Sequence, residues 1–219
     1  MELEKLKQEK IDQIDFFKKI IKKDIEELFM ENYKNIGIEG LTKSFLLDLE
    51  IFEDILKNNE NKAFCKFYLI QNGDSLNLGL SFSDNEECDI KQKKLADDDV
   101  LYVLENDSIT KKDFREMKKN FVKNIGAKLP IHPGNKKDTL ISYSLSEINL
   151  FLKEMRLKYS VISALKFNMF KYSPTTLDNE LAAHFTERKN RIAFCVHALF
   201  NKKDLYGESE GYDLGNLRP

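Results

Sequence analysis

The sequence lacks the features that mark several classes of protein. It contains no tryptophan, three cysteines, four prolines and nine glycines among 219 residues. Three widely spaced cysteines do not form a disulfide framework, and so little glycine and proline is untypical of a loop-rich or fibrous chain. No apolar run reaches the roughly 18 residues that a membrane-spanning helix needs, and the charged start MELEKLKQEK has no signal-peptide core. We therefore expect a soluble, cytoplasmic protein with no membrane partner.

A clear excess of either charge is also missing. The chain has 35 basic and 37 acidic side chains, a formal net charge of -2. Proteins that bind nucleic acid usually carry a basic excess that neutralises phosphates, so a nucleic-acid partner is not expected here. Hydrophobic residues make up 42% of the chain, which is enough for a globular protein with a sizeable core.

The sequence does contain well-marked helices and strands. Apolar spacings of three and four residues predict a long helix from about residue 2 to Tyr33, whose stripe includes Ile21, and a second over 107–130. Two extended runs flank Asn72-Gly73, a dipeptide that supplies the positive φ angle of a tight turn, and they predict a hairpin.

One pattern occurs twice. FLLDLEIFEDIL at 45–56 resembles ISYSLSEINLFL at 141–152, which lies 96 residues later. Each begins as a short strand and continues as a helix, capped by Asp48 in the first copy and by Ser144 with Glu147 in the second. Two strand-like runs follow each copy. The second of these runs aligns at a shift of 118 residues, which matches Leu76, Leu78 and Phe82 with Phe194, Val196 and Phe200.

This organisation predicts an α+β fold of two similar lobes, 1–104 and 105–219. Each lobe would read helix, strand, helix, strand, strand, with a small antiparallel sheet covered by helices. The second lobe carries an insertion at 173–190 and an apolar tail. An internal duplication explains the repetition, and chance similarity between α+β patterns explains it too, because few aligned positions are identical.

The insertion at 173–190 holds the first group of candidate site residues. Glu180, His184 and Glu187 are spaced to lie on one face of a short helix. Carboxylates and an imidazole so arranged could bind a divalent metal or act as general base and acid. The competing interpretation is a solvated face that pairs with Arg188.

A second candidate is the pair Cys195 and His197, which alternation places on one face of a strand. Such a pair could be a nucleophile and its base, or two zinc ligands, or a buried structural pair. The three aspartates at 97–99 lack the spacing and glycine of a calcium loop. The sequence holds no P-loop, GxGxxG, GxSxG or HExxH motif. We accordingly assign no metal site and no cofactor from the sequence.

The C-terminal string GYDLGNLRP concentrates apolar side chains at the end of the chain. We expect Tyr212 and Leu214 to dock beside the strand at 191–200; the alternative is a recognition tail, including Leu217, that binds a partner. The string resembles the ending of a loose group of small, functionally uncharacterised proteins from the Bacteroidota, which often close with Tyr-Asp-Leu-Gly-x-Leu-Cys-Pro. Arg218 departs from that pattern, and the resemblance implies no activity.

From the sequence we expect a cytoplasmic binding or regulatory protein without catalytic activity, whose partner is another protein or a second copy of itself. The long amphipathic helix and the many aromatic residues favour this interpretation. One alternative is a metal-dependent or hydrolytic enzyme using the 173–197 region, with Glu180, His184, Glu187 and His197. Another is a small-molecule sensor that binds its ligand between the lobes.

Overall fold

The structure is a computed structural model that describes residues 20–86, 101–129, 140–178, 181–202, 205–212 and 216–218. It confirms the α+β class, with helices and two antiparallel sheets. The elements in chain order are β1 (Ile20–Ile21), α1 (Lys23–Lys34), β2 (Ser44–Asp48), α2 (Leu49–Asn58), β3 (Phe64–Asn72), β4 (Ser75–Ser83), β5 (Leu101–Glu105), β6 (Ser108–Lys111), α3 (Arg115–Lys123), α4 (Ile125–Lys128), β7 (Leu140–Ser144), α5 (Leu145–Tyr159), β8 (Ile162–Lys171), α6 (Ala182–Glu187), β9 (Ile192–Lys202), β10 (Leu205–Glu208), β11 (Gly211–Tyr212) and β12 (Asn216–Arg218).

The two sheets exchange strands between the halves of the chain. Sheet A has the order β1-β11-β9-β8-β2, with β10 also paired to β9, and sheet B has the order β12-β7-β3-β4-β5-β6. The short strand β2 of the first half thus pairs with the hairpin of the second half, and β7 of the second half pairs with the hairpin of the first. The boundary expected at residue 104 therefore does not separate the sheets, because each sheet needs strands from both sides of it.

The exchanged strands pair in equivalent registers. Lys66 of β3 lies opposite Ser142 of β7, and Lys166 of β8 lies opposite Leu46 of β2. Leu46 and Ser142 are equivalent under the 96-residue shift of the short strands, and Lys66 and Lys166 are equivalent under a shift of 100 residues. The second strands of the hairpins align differently from the expectation. Ser81 lies opposite Lys66 and His197 opposite Lys166, a shift of 116 residues instead of 118.

The two sheets pack face to face, and helices lie on the outer face of each. Phe67 of sheet B contacts Phe167 and Phe194 of sheet A, with ring centroids 5.4 Å apart in both pairs. Outside sheet A lies α1, whose Phe29 packs on β8, and outside sheet B lies α3, preceded by Phe114. A cavity of about 30 Å³ remains between the sheets, room for about one water molecule.

Local signals at the helix ends match the sequence predictions. Asp48 Oδ1 accepts a hydrogen bond from the Ile51 amide at the start of α2, at 3.0 Å. Ser144 and Glu147 form the reciprocal capping box at the start of α5. Gly73 closes the first hairpin with a φ of 58°. In the part of the chain that the structure describes, no helix is long and apolar enough to cross a membrane.

The long helix predicted from about residue 2 to Tyr33 is not continuous in the described residues, where a helix covers only Lys23–Lys34. Residues 2–19 lie outside the described residues, but Ile21 is in β1 and pairs with Gly211, so the prediction that this residue is helical is wrong. The backbone of β1 is extended because it pairs with β11. Lys22, the N-cap of α1, also has an extended ψ of 140°, so the helix starts only after it. The buried stripe of α1 is consequently Ile25, Phe29 and Tyr33, together with one carboxylate, Glu26.

The C-terminal segment joins both sheets. Tyr212 pairs with Val196 of β9 and is buried, as expected, while the backbone of Leu217 pairs with Ile141 of β7. Leu214 lies outside the described residues. Residues 211–212 therefore lie between β1 and β9 in sheet A, and residues 216–218 form an edge strand of sheet B.

Candidate functional site

Three chemically different side chains converge beneath α1. Glu26 Oε1 lies 2.7 Å from His197 Nε2 and 3.0 Å from Cys195 Sγ, and these last two atoms are 3.5 Å apart. The exposed fractions are 7% for Glu26, 0% for Cys195 and 5% for His197. A carboxylate is rarely buried without a specific reason, because desolvation disfavours charge.

Strand alternation and helix periodicity place these groups. Phe194 and Val196 of β9 face the other sheet, so Cys195 and His197 face outward towards α1. On α1, Glu26 follows Ile25 on the stripe that packs against sheet A. The carboxylate is thereby held over the thiol and the imidazole by the burial of its apolar neighbours.

The orientation of His197 is fixed by the chain that follows β9. Its Nδ1 is 2.7 Å from the carbonyl oxygen of Ser209, which only accepts hydrogen bonds, so Nδ1 carries a proton. Glu208 Oε1 is 3.2 Å from the same nitrogen and is paired with Lys166 at 3.0 Å. Nε2 is thereby directed at Glu26 and Cys195.

The surroundings of the buried pair favour its ionised form. Burial by itself raises the pKa of Glu26, but hydrogen bonds from His197, Cys195 and Asn168 outweigh it and lower the pKa to about 2. Burial opposes protonation of His197, yet the hydrogen bond and charge of Glu26 raise its pKa above the ordinary value of 6.5. Both shifts favour a carboxylate beside an imidazolium, with a thiol that donates to the carboxylate, a combination with no net charge.

A fourth polar side chain completes the cluster. Asn168 of β8 lies opposite Cys195 in the sheet and is 4% exposed. Its Nδ2 donates to Glu26 Oε1 at 3.1 Å. No hydrogen-bond partner for its Oδ1 is found among the described residues, although that atom is buried. An unpaired buried acceptor is costly, so its presence here needs a reason.

The backbone of β11 covers the cluster closely. A Cβ atom at Gly211 would lie 2.8 Å from Glu26 Oε2 and 2.9 Å from His197 Nε2, so a side chain there would displace the pair. Beside this cover is an open cavity of about 520 Å³ whose wall includes Glu26, His197 and Glu208. Another cavity, of about 550 Å³, lies between α2 and α5, but nothing in its lining matches this convergence of ligand types.

The arrangement suits metal binding better than nucleophilic catalysis. A catalytic thiolate must be reachable, whereas Cys195 is fully buried, and its ionisation would place two anions 3.0 Å apart. A divalent cation would remove that repulsion. One ligand atom from each of Glu26, Cys195 and His197 lies within 4.8 Å of the others, a set that fits Zn²⁺.

The residues singled out from the sequence do not all meet here. His197 belongs to the cluster, whereas His184 packs beside Tyr172 and Phe185, and Glu187 is exposed. Glu180 lies outside the described residues, as do the aspartates at 97–99. The helix α6 begins only at Ala182, so it is too short to carry the three-residue face that the spacing predicts.

Sequence reasoning missed Glu26, Asn168 and Ser209. One signal for Glu26 was present, namely an acidic residue beside Ile25 on an apolar stripe. Nothing local in the chain indicates that this carboxylate meets a histidine 171 residues later.

No protein-family model matches the sequence, and neither the curated proteins nor the solved structures contain a match to the chain.

Proposed function

We propose that this protein binds a thiophilic divalent metal ion, Zn²⁺ foremost, through Glu26, Cys195 and His197. The observation that carries the proposal is the convergence of a carboxylate, a thiol and an imidazole nitrogen within 4.8 Å of one another in the interior. Without metal, the proton of the imidazolium and the proton of the thiol keep the net charge of the site at zero. Replacing them by one divalent cation leaves the net charge at zero, so a buried ion would be compensated.

The distances are close to those of a zinc site. Zn–N and Zn–O bonds of about 2.0 Å and a Zn–S bond of about 2.3 Å place tetrahedral ligands roughly 3.3–3.6 Å apart. The separation between Cys195 Sγ and His197 Nε2 is already 3.5 Å. Glu26 Oε1 must retreat by about half an ångström from both once the protons leave, which is a small side-chain movement.

Ligand chemistry selects the class of ion. Thiolate and imidazole favour Zn²⁺ and related transition ions over Mg²⁺ and Ca²⁺, which prefer oxygen. The hydrogen bond from His197 Nδ1 to the Ser209 carbonyl is the outer contact that metal-bound histidines usually make. The proposed location is the cytoplasm, where a reducing environment keeps the Cys195 thiol available.

Metal titration of the reduced full-length chain tests the proposal. Co²⁺ bound to Cys195 is expected to give a thiolate-to-metal absorption band, and calorimetry with Zn²⁺ should show one site that releases about two protons per ion. Cys195→Ser should abolish the band. Cys65→Ser is the matched control, because Cys65 is also fully buried but belongs to β3 of the other sheet. Absence of a thiolate band, or a band lost equally in both variants, would reject the site.

A second candidate function is protein binding through the cleft between α2 and α5. The observation that favours it is Leu157, an apolar side chain that lines this cleft and is 78% exposed. The partner expected is another protein or a second copy of this chain. The cavity of about 30 Å³ between the sheets is too small for an organic ligand. For the alternative hypothesis of a small-molecule sensor, the cleft between α2 and α5 is therefore the binding site that we propose between the two halves.

A further inference from the structure

We infer that Asn168 supplies the fourth ligand, so that the proposed metal is enclosed by four protein side chains and has a structural role. This inference rests on the proposed function. Its starting observation is independent of the three ligands: Asn168 is almost fully buried, contacts Glu26 through Nδ2, and leaves Oδ1 without a partner among the described residues.

The Asn168 amide can take two orientations, and the unpaired Oδ1 leaves it without a hydrogen bond that would oppose the change. Without metal, Nδ2 must face Glu26, because an amide oxygen beside a carboxylate oxygen would be repelled. A half-turn of the amide exchanges its oxygen and nitrogen with little change of shape. With a cation present, that rotation brings Oδ1 to the place of Nδ2, which is 3.1 Å from Glu26 Oε1, and the retreat of Glu26 Oε1 then widens this distance towards the roughly 3.3–3.6 Å between ligands of a tetrahedral ion.

The surroundings favour a closed coordination shell. Asn168 and Cys195 are paired residues on neighbouring strands, and Glu26 is on the helix above them. The Gly211 backbone covers the side where Glu26 and His197 meet. Four ligands from α1, β8 and β9 would tie the outer helix to the two long strands of sheet A, as structural zinc sites do.

The competing arrangement is an open one, in which water from the 520 Å³ cavity takes the fourth position and the metal is catalytic. The two arrangements differ in whether a small anion reaches the metal. Azide binds to an open Co²⁺ site and changes its visible spectrum, whereas a four-ligand protein site excludes it.

The experiment uses the Co²⁺-loaded full chain with azide as the probe. We expect the wild-type visible spectrum to be intense, as for four-coordinate Co²⁺, and unchanged by azide. Asn168→Leu should lower the affinity for Co²⁺ about 10–100-fold and make the spectrum sensitive to azide. Asn168→Asp, which keeps the shape and adds a charge, should bind Co²⁺ about tenfold more tightly than wild type. Asn77→Leu is the control, since Asn77 is equally buried but lies in β4 of the other sheet.

Each outcome separates the two proposals. If the wild-type chain shows no thiolate-bound Co²⁺, the proposed function fails. If it binds Co²⁺ but azide alters its spectrum, or if both Asn168 variants match wild type in affinity and spectrum, the metal site stands and the fourth-ligand inference is overturned. Asn168→Asp keeps the test valid if the leucine variant does not fold.

Discussion

At the scale of single residues, the decisive feature is a carboxylate placed among apolar neighbours. Glu26 lies on the buried stripe of α1 and accepts hydrogen bonds from an imidazole, a thiol and an amide. Breaking a buried ion pair by removing one partner typically costs about 3–5 kcal/mol, because the other charge is left without compensation. The pair is therefore a sensitive point for the stability of the metal-free protein.

We predict that the unfolding free energy of the metal-free protein falls at both ends of the pH range. The folded pKa of Glu26, about 2, is below its ordinary 4.5, so its contribution is present above pH 4.5 and is lost as pH falls towards 2. The pKa of His197 is raised, so its contribution is present below about pH 6.5 and is lost as pH rises through the folded value.

Denaturant unfolding as a function of pH measures this effect. His197→Gln should remove the alkaline decline and destabilise the protein by about 3 kcal/mol near neutrality. His184→Gln, which changes a histidine outside the pair, should keep the wild-type pH profile. Identical profiles for wild type and His197→Gln would contradict the assignment of the alkaline decline to this pair.

At the scale of elements, the C-terminal strands are part of the site as well as of the sheets. The segment that follows β9 supplies the Ser209 carbonyl to His197, covers the pair with Gly211 and ends in the buried Tyr212. The ring of Tyr212 packs against Phe151 of α5, with centroids 5.2 Å apart. The same short stretch therefore contacts the site, sheet A and the helix α5.

We predict that Tyr212→Ala lowers the unfolding free energy by about 3–5 kcal/mol, because it empties a buried aromatic position. Tyr212→Phe should be close to wild type, since it keeps the ring contact with Phe151. Deletion of residues 211–219 should destabilise the protein at least as much as Tyr212→Ala. Thermal melting measures all three. A deletion variant that melts like wild type, but no longer binds a partner, would instead support the recognition-tail hypothesis.

At the scale of the whole molecule, the surface that we propose for a protein partner is the cleft between α2 and α5. These helices follow the two exchanged strands β2 and β7, so they occupy corresponding positions in the two halves. Charged side chains, including the Glu53–Arg156 ion pair, line the cleft around its apolar floor. An apolar floor with a polar rim is the usual composition of a protein interface.

If the protein associates with itself through this cleft, light scattering should show a mass that increases with concentration towards that of a dimer. Leu157→Glu should keep the protein monomeric, because it places a charge on an apolar contact. Leu177→Glu is the matched control, since Leu177 is also exposed, at 49%, and is not among the residues that line the cleft. A monomer at all concentrations would reject self-association and leave a different protein as the partner to be sought.

The sequence alone was enough to predict much of the local structure, although Ile21 and residues 108–111, predicted to be helical, lie in β1 and β6. Apolar periodicity identified the hairpins, Asp48 and Ser144 marked the starts of α2 and α5, and Gly73 marked a turn. These predictions succeeded because each depends on residues only a few positions apart. The pair Cys195 and His197 was also identified, because strand alternation is a local property.

The pairing of the strands and the membership of the site depend on long-range packing and are visible only in the folded protein. The sequences of β2 and β7 have the pattern of a short strand, and that pattern is compatible with pairing to either hairpin. The exchange of these strands between the sheets therefore cannot be predicted from their own residues. Glu26 reaches Cys195 and His197 because α1 packs across β8 and β9, and that contact depends on the sum of many distant packing interactions. The site joins residues more than 160 positions apart, a separation over which periodicity carries no information.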